Sequence, residues 1–265
     1  MTGLGALAFG GEAKEARGDP IVAPLIISVH LTADQRQRIL DQTGSSISAI
    51  PYESAAPAVR CYFGGIPLNV PRGVFVPAAA TERLLDIAVQ AASTLPRPTI
   101  VDVGTGCGAV ALAAAKALPR AAVFATDTSE LALNTARANR RRLMLRNVRF
   151  VRGSLLAPLP RRLTSKVAVV VANVPYVPPR LADAFKHAFP EGTSIGPGED
   201  GLDLVRELAS EARRFLIRGG LLVLQLAGFQ WTTLAAELLA MGYAAPELQE
   251  QSGNAPVVGR VAWPS

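Results

Sequence analysis

Two short segments, roughly seventy residues apart, carry the residue types in this chain that could do chemistry. In the first, Val101-Asp102-Val103-Gly104-Thr105-Gly106-Cys107-Gly108, a carboxylate and three glycines stand where an apolar run gives way to an alanine-rich stretch. Glycines at a strand-to-helix turn let the backbone bend tightly and let a ligand approach it closely. The helix N-terminus beyond them favours an anionic group, a carboxylate as well as a phosphate. Asp102, just ahead of Gly104, Thr105, Gly106 and Gly108, could meet a cationic amino group. Asp127 ends the next apolar run, where a carboxylate accepts hydrogen bonds from ribose hydroxyls; capping of the following helix is its competing use. Ser154 closes the run after that and could donate or accept at an adenine edge.

The second segment is Ala172-Asn173-Val174-Pro175-Tyr176-Val177-Pro178. Asn173 follows directly on the apolar run Val167–Ala172, which puts it at the carboxyl end of a strand, where ligand crevices of open sheets lie. Its side-chain carbonyl and the backbone carbonyl of Val174 can accept two hydrogen bonds from one amino group. Pro175 keeps Val174 extended, and Tyr176 offers an aromatic face to a planar group. Amide nitrogen is a poor nucleophile, so orienting its lone pair is where the barrier can be lowered. Together the segments point to methyl transfer from S-adenosylmethionine to a planar nitrogen. The glycine turn also satisfies a dinucleotide fingerprint if Ala109 is counted, which keeps a nicotinamide-dependent oxidoreductase as the second class. Asp102 and the lack of a hydride-transfer acid count against it. A binding module that has lost turnover is the third class.

The elements that must position these residues follow from periodicity. Apolar runs at Thr99–Val103, Ala122–Thr126, Val148–Arg152, Val167–Ala172 and Gly220–Gln225 have strand length. Helix-period segments lie at Thr81–Ser93, between Ala109 and about Leu118, and at Ser129–Arg142, Leu202–Phe215 and Trp231–Met241. This alternation predicts a doubly wound Rossmann-like α/β sheet with helices on both faces. Glu247–Ala262 reads as a C-terminal antiparallel hairpin around Gly253-Asn254. Ahead of these lie a tail over 1–20 and a small region over 21–77. The latter includes a strand at Ile21–His30, a helix at Thr32–Gln42, and strands at Tyr62–Ile66 and Val74–Val76. The methyltransferase-type domain is expected over 78–265.

With 265 residues, 49% hydrophobic and 18% charged, the chain is globular in composition. No uninterrupted apolar run reaches the roughly 18–20 residues that span a bilayer, and no secretory start is visible, so a cytoplasmic location is expected. Two cysteines, Cys61 and Cys107, make no disulfide framework or metal spacing. His30 and His187 are weak catalytic candidates. The net charge of +6 owes much to Arg137, Arg140, Arg141, Arg142, Arg146, Arg149 and Arg152, with Arg161, Arg162 and Lys166 nearby. Such a cluster suits nucleic acid or the ribosome, or is a solvated face.

Over residues 73–263 the chain resembles the HemK/PrmC-type protein-(glutamine N5) methyltransferases, which methylate the Gly-Gly-Gln glutamine of peptide release factors. The matching pieces are Gly-Val-Phe-Val-Pro…Thr-Glu at 73–82, the glycine turn, Ala-Thr-Asp at 125–127 and Asn-Val-Pro-Tyr at 173–176. Phe-Pro-Glu at 189–191, Gly-Glu-Asp-Gly-Leu-Asp at 198–203 and Arg-Gly-Gly-Leu-Leu-Val-Leu-Gln at 218–225 continue it. The resemblance implies a class I methyltransferase fold with the target amide held by Asn173 and the Val174 carbonyl. Three departures bear on the acceptor. Val174 stands where the family has proline, Pro77–Glu82 lacks the family's arginine and first acid, and the N-terminal region does not look like the family's docking domain. These departures leave methyl transfer untouched, and the resemblance still puts a protein glutamine, as in a release factor, first among the expected acceptors. A peptide or small-molecule amide, and an exocyclic amine of nucleic acid, are the alternatives.

Overall fold

Residues 167–172, four valines and two alanines, are buried at every position. Burial on both faces is the mark of an internal parallel strand, and the computed structural model places this segment, β6 (Val167–Ala172), inside a seven-stranded sheet. The structure describes residues 58–182, 195–249 and 257–264. The expected tail, the Ile21–His30 strand, the Thr32–Gln42 helix, His30, Phe-Pro-Glu at 189–191, His187 and the Gly253-Asn254 turn lie outside them.

The other strands are β3 (Thr99–Val103), β4 (Ala122–Asp127), β5 (Val148–Arg152), β7 (Leu216–Leu226), β8 (Ala244–Gln249) and β9 (Val257–Ala262). Their order is β5-β4-β3-β6-β7-β9-β8. The first five in that order run parallel, while β9 is antiparallel to both β7 and β8. The sheet therefore grows outward from β3 through β4 to β5, then restarts on the other side of β3 with β6.

Helices α1 (Ala79–Ser93), α2 (Ala109–Ala117) and α3 (Glu130–Arg142) share one apolar cluster with one face of the sheet. Helices α4 (Asp203–Phe215) and α5 (Gly228–Ala240) share a second cluster with the other face. Helix α4 shows why: Val205, Leu208, Ala209, Ala212 and Phe215 fall on one side and are buried. Burial of Val205, Leu208 and Phe215 contributes about 1.5–3 kcal/mol each. Ser129 caps α3, its Oγ accepting from the Ala132 amide at 3.2 Å.

Two expectations are corrected ahead of α1. The single strand expected over Tyr62–Ile66 is a hairpin, β1 (Ala58–Phe63) and β2 (Ile66–Pro71), reversing at Gly64-Gly65 with both φ angles positive. A glycine pair is the residue choice that a two-residue hairpin turn demands. Val74–Val76 forms no strand, because the chain turns there with the Val74 amide bonded to the Pro71 carbonyl at 3.2 Å. Phe63, Ile66, Leu68 and Val70 of the hairpin enter the core shared by α1, α2 and α3. Asn139 of α3 secures it, exchanging hydrogen bonds with the Asn69 backbone at 3.0 Å and donating to the Cys107 carbonyl at 3.1 Å.

Candidate active site

Reversal of strand order at β3 and β6 opens a crevice at their carboxyl ends. Val103 pairs with Ala172, so the glycine turn and the Asn173 segment emerge side by side. Gly104 and Thr105 donate their amides to the Thr126 carbonyl at 2.9 and 3.0 Å, which ties the turn to the end of β4. Asp102 is 3% exposed and serves the turn from beneath, Oδ2 accepting from Thr105 Oγ1 at 2.7 Å and from the Ala111 amide at 3.1 Å. Burial pushes its carboxyl up to about 6, against the lowering effect of those two bonds. Burial likewise pushes the Cys107 thiol up, so it packs as an apolar residue.

Asp127 reaches the turn from the neighbouring strand. Its Oδ2 accepts from the Gly106 amide at 2.9 Å and its Oδ1 from the Ser129 amide at 2.9 Å, and the residue stays partly exposed. Ser154 is exposed and follows Gly153, whose amide is bonded to the Asp127 carbonyl at 3.0 Å. The turn is packed on one side and open on the other. A Cβ on Gly104 would lie 3.2 Å from Val174 Cγ1, whereas one on Gly106, where φ is +56°, would meet nothing within 4 Å. An open glycine backbone, an adjacent helix N-terminus and a reachable carboxylate at the next strand end fit S-adenosylmethionine.

The substrate segment is held from three elements. Asn173 is half-buried, and its Nδ2 donates to Thr81 Oγ1 of α1 at 3.4 Å. That bond orients the amide, leaving Oδ1 as the end available to accept. Val174 is 6% exposed and its side chain belongs to the core beneath Gly104. Pro175 and Tyr176 are half-buried. Gln225 of β7 donates to Tyr176 Oη at 3.4 Å, and Gln230 of α5 donates to the Tyr176 carbonyl at 2.7 Å and the Asp200 carbonyl at 2.8 Å. Burial raises the Tyr176 phenol, and the Gln225 bond opposes it in part.

A loop at 195–203 backs this segment. Ile195 bridges to Val177, and the Gly196 amide donates to the Val177 carbonyl at 3.0 Å. Arg206 locks the loop to both helices, gripping the Asp200 carboxylate at 2.6 and 2.9 Å and Glu237 at 2.8 and 3.0 Å. The arginine holds the Asp200 carboxyl below the usual range.

Sequence reasoning thus named Asp102, Gly104, Thr105, Gly106, Gly108, Asp127, Asn173, Val174, Pro175 and Tyr176, which meet at one crevice, with Ser154 at its edge. It missed Thr81, Gln225 and Gln230 as partners of that crevice. The only signal for them was that Thr81 and Gln225 fall within the family-like stretches at 73–82 and 218–225. Most of the arginine cluster lies elsewhere. Helix α3 runs against the strands, so Arg140, Arg141 and Arg142 at its end sit away from the crevice. Arg149 lies within the edge strand β5, whereas Arg152 ends that strand beside Asp127 and donates to the Thr128 carbonyl at 3.3 Å. An open hollow of about 510 Å³, lined by Leu95, Pro98 and Arg120 among others, lies at the end of the sheet opposite the crevice.

The chain is similar to methyltransferases in sequence and in fold. A model described as a methyltransferase domain matches residues 100–190. The chain is 36% identical to a release factor glutamine methyltransferase of Deinococcus radiodurans, over 83% of this chain and 78% of that one. It is 38% identical to a protein of the same name from Gloeobacter violaceus, over 66% of this chain and 61% of that one. Among solved structures it resembles a ribosomal protein L11 methylase from Lactobacillus delbrueckii subsp. bulgaricus, with a TM-score of 0.54 and 19% identity over 74% of this chain and 84% of that one. A 16S rRNA methyltransferase of T. thermophilus, solved with AdoMet and guanosine, has a TM-score of 0.56 and 17% identity over 77% of this chain and 50% of that one. These two share the fold.

Proposed function

The chain belongs to the release factor glutamine methyltransferase family, and from that membership we propose that it methylates the side-chain amide nitrogen of a glutamine in a peptide release factor. One observation carries the reading: Asn173, its amide oriented by Thr81, stands at the end of β6 beside the glycine turn that ends β3. S-adenosylmethionine, the cofactor, supplies an electrophilic methyl group when bound. Residues Gly104–Gly108 and Asp127 would hold it, with Asp102 keeping the turn in shape.

Asn173 Oδ1 and the Val174 carbonyl accept the two N–H bonds of the acceptor amide, which fixes its plane and directs its lone pair. Tyr176 supplies the face against which that plane rests. No base has to act first. Once the nitrogen carries its new methyl group its N–H is strongly acidic, and the nitrogen releases to water the proton that the Asn173 oxygen had accepted in a hydrogen bond.

The test is transfer of labelled methyl by the full chain to a release factor carrying Gly-Gly-Gln, with the modified residue located by mass spectrometry. Asn173→Ala should lower turnover by about 10²–10³ while cofactor affinity holds. Label in RNA or in a small amide, with none in glutamine, would overturn the proposal.

A further inference from the structure

Gln225 carries a feature that the reaction as derived above does not use. It follows the Ala172–Leu224 register pair, so it stands next to Asn173 across β6 and β7. Leu222, Leu224 and Leu226 point into the α4–α5 core, and Val223 into the α1–α2 core. Strand alternation therefore turns Gln225 to the α1 side, the side on which Asn173 meets Thr81. The side chain is 3% exposed. Its Nε2 donates to Tyr176 Oη, and its Oε1 is the buried side-chain atom without a hydrogen-bond partner among the described residues.

A buried amide oxygen with no partner is a net cost to the fold, and an apolar side chain of the same shape would avoid it. Gln225 is thus not explained by stability. It is explained by Tyr176. That residue lies in an irregular segment, and only two side chains reach it with hydrogen bonds among the described residues, Gln230 at the carbonyl and Gln225 at the hydroxyl. The first fixes the backbone; the second fixes the ring.

We infer that Gln225 is a positioning residue for the methyl acceptor, holding the Tyr176 ring through its hydroxyl at some expense to stability. The inference rests on the methyl-transfer reading of the site. Its test uses Gln225→Leu, with Gln225→Met as the unbranched second variant, Tyr176→Phe, and the double variant. Thermal unfolding of Gln225→Leu or Gln225→Met should be at or above wild type, and S-adenosylmethionine affinity within about twofold of it. KM for the release-factor acceptor should rise tenfold or more, with kcat changed less. Tyr176→Phe, which removes the same bond from the other side, should give a similar rise, and the double variant should be no worse than either single one.

Ring-labelled tyrosine NMR supplies a readout that does not depend on the acceptor: the Tyr176 ring should become less ordered in Gln225→Leu. Unchanged acceptor KM with unchanged ring order in a folded variant overturns the inference, as does full additivity with Tyr176→Phe. If the wild-type enzyme methylates no glutamine, the proposed function falls. Ring order and the unfolding comparison then decide Gln225 alone.

Discussion

Asp102 gives this protein a pH dependence opposite in sign to that of a salt-bridged carboxylate. Its carboxyl titrates near 3.8 when exposed and is pushed up to about 6 in the fold, so the folded state prefers it protonated. The stability this preference confers is fully present below the unfolded value and is lost as pH rises through about 6. Asparagine keeps an oxygen for Thr105 and the Ala111 amide but carries no charge. Relative to wild type, Asp102→Asn should therefore gain up to about 3 kcal/mol between about pH 4 and pH 7, near 1.4 kcal/mol per unit. Urea unfolding at the two pH values measures it, and a constant difference would remove the buried charge as its cause. Val174 makes a second case. From the sequence its side chain could have shaped an acceptor pocket, yet it packs beneath Gly104. Val174→Ala should cost about 1–3 kcal/mol and loosen cofactor binding. Val174→Pro, which keeps the carbonyl, should leave preference for Gly-Gly-Gln as it is; a shifted acceptor preference in competition assays would return Val174 to the acceptor side. Asp127 and Asn173 were legible because each ends an apolar run. Thr81, Gln225 and Gln230 were not, since their partners lie 92, 49 and 54 residues away in the chain.

Among the elements, α4 and α5 do more than cover the sheet, because Arg206 and Gln230 project from them onto the loop behind Tyr176. Arg206 engages Asp200 and Glu237 through two bonds each and reaches Asp203 at 3.2 Å, an arrangement a lysine cannot copy. Its side chain is 29% exposed, so screening trims the benefit. Arg206→Ala should cost about 1–2 kcal/mol, on the scale of charge-assisted bonds partly open to water, and Arg206→Lys should recover only part of it. Thermal unfolding of both variants, repeated at raised salt, checks this. If lysine served as well as arginine, the paired geometry would carry no weight. Strands with unbroken apolar runs could be read from the sequence within a residue or two. The β1–β2 hairpin could not, because Cys61, Tyr62 and Phe63 read on through Gly64-Gly65 as one strand until the turn is recognised. Strand β7 begins at Leu216, earlier than the apolar run suggests, because the chain pairs with β6 on both sides of an irregularity at Gly219, where φ is +72°.

For the whole molecule, alternation of strand and helix gave the layered sheet, and the two segments with chemistry identified its working edge. What alternation does not encode is strand order. Placing β6 beside β3 brings Asp102 and Asn173 to one crevice, and that neighbour relation is tertiary. The same holds at the other edge. Strand β9 lies between β7 and β8, so β8 is joined to the sheet through a strand that comes after it in the chain. As the polypeptide leaves the ribosome, β7 is complete while the strand that will pair with its free side has yet to be made. Until Val257–Ala262 arrives, the backbone amides and carbonyls of Leu221–Leu226 stand open beside an apolar surface, the condition under which nascent chains pair with one another. Arrival of that segment closes the β7 edge and seats β8 in one event. Pairing of β9 is thus also the step that shields the β7 edge from other chains.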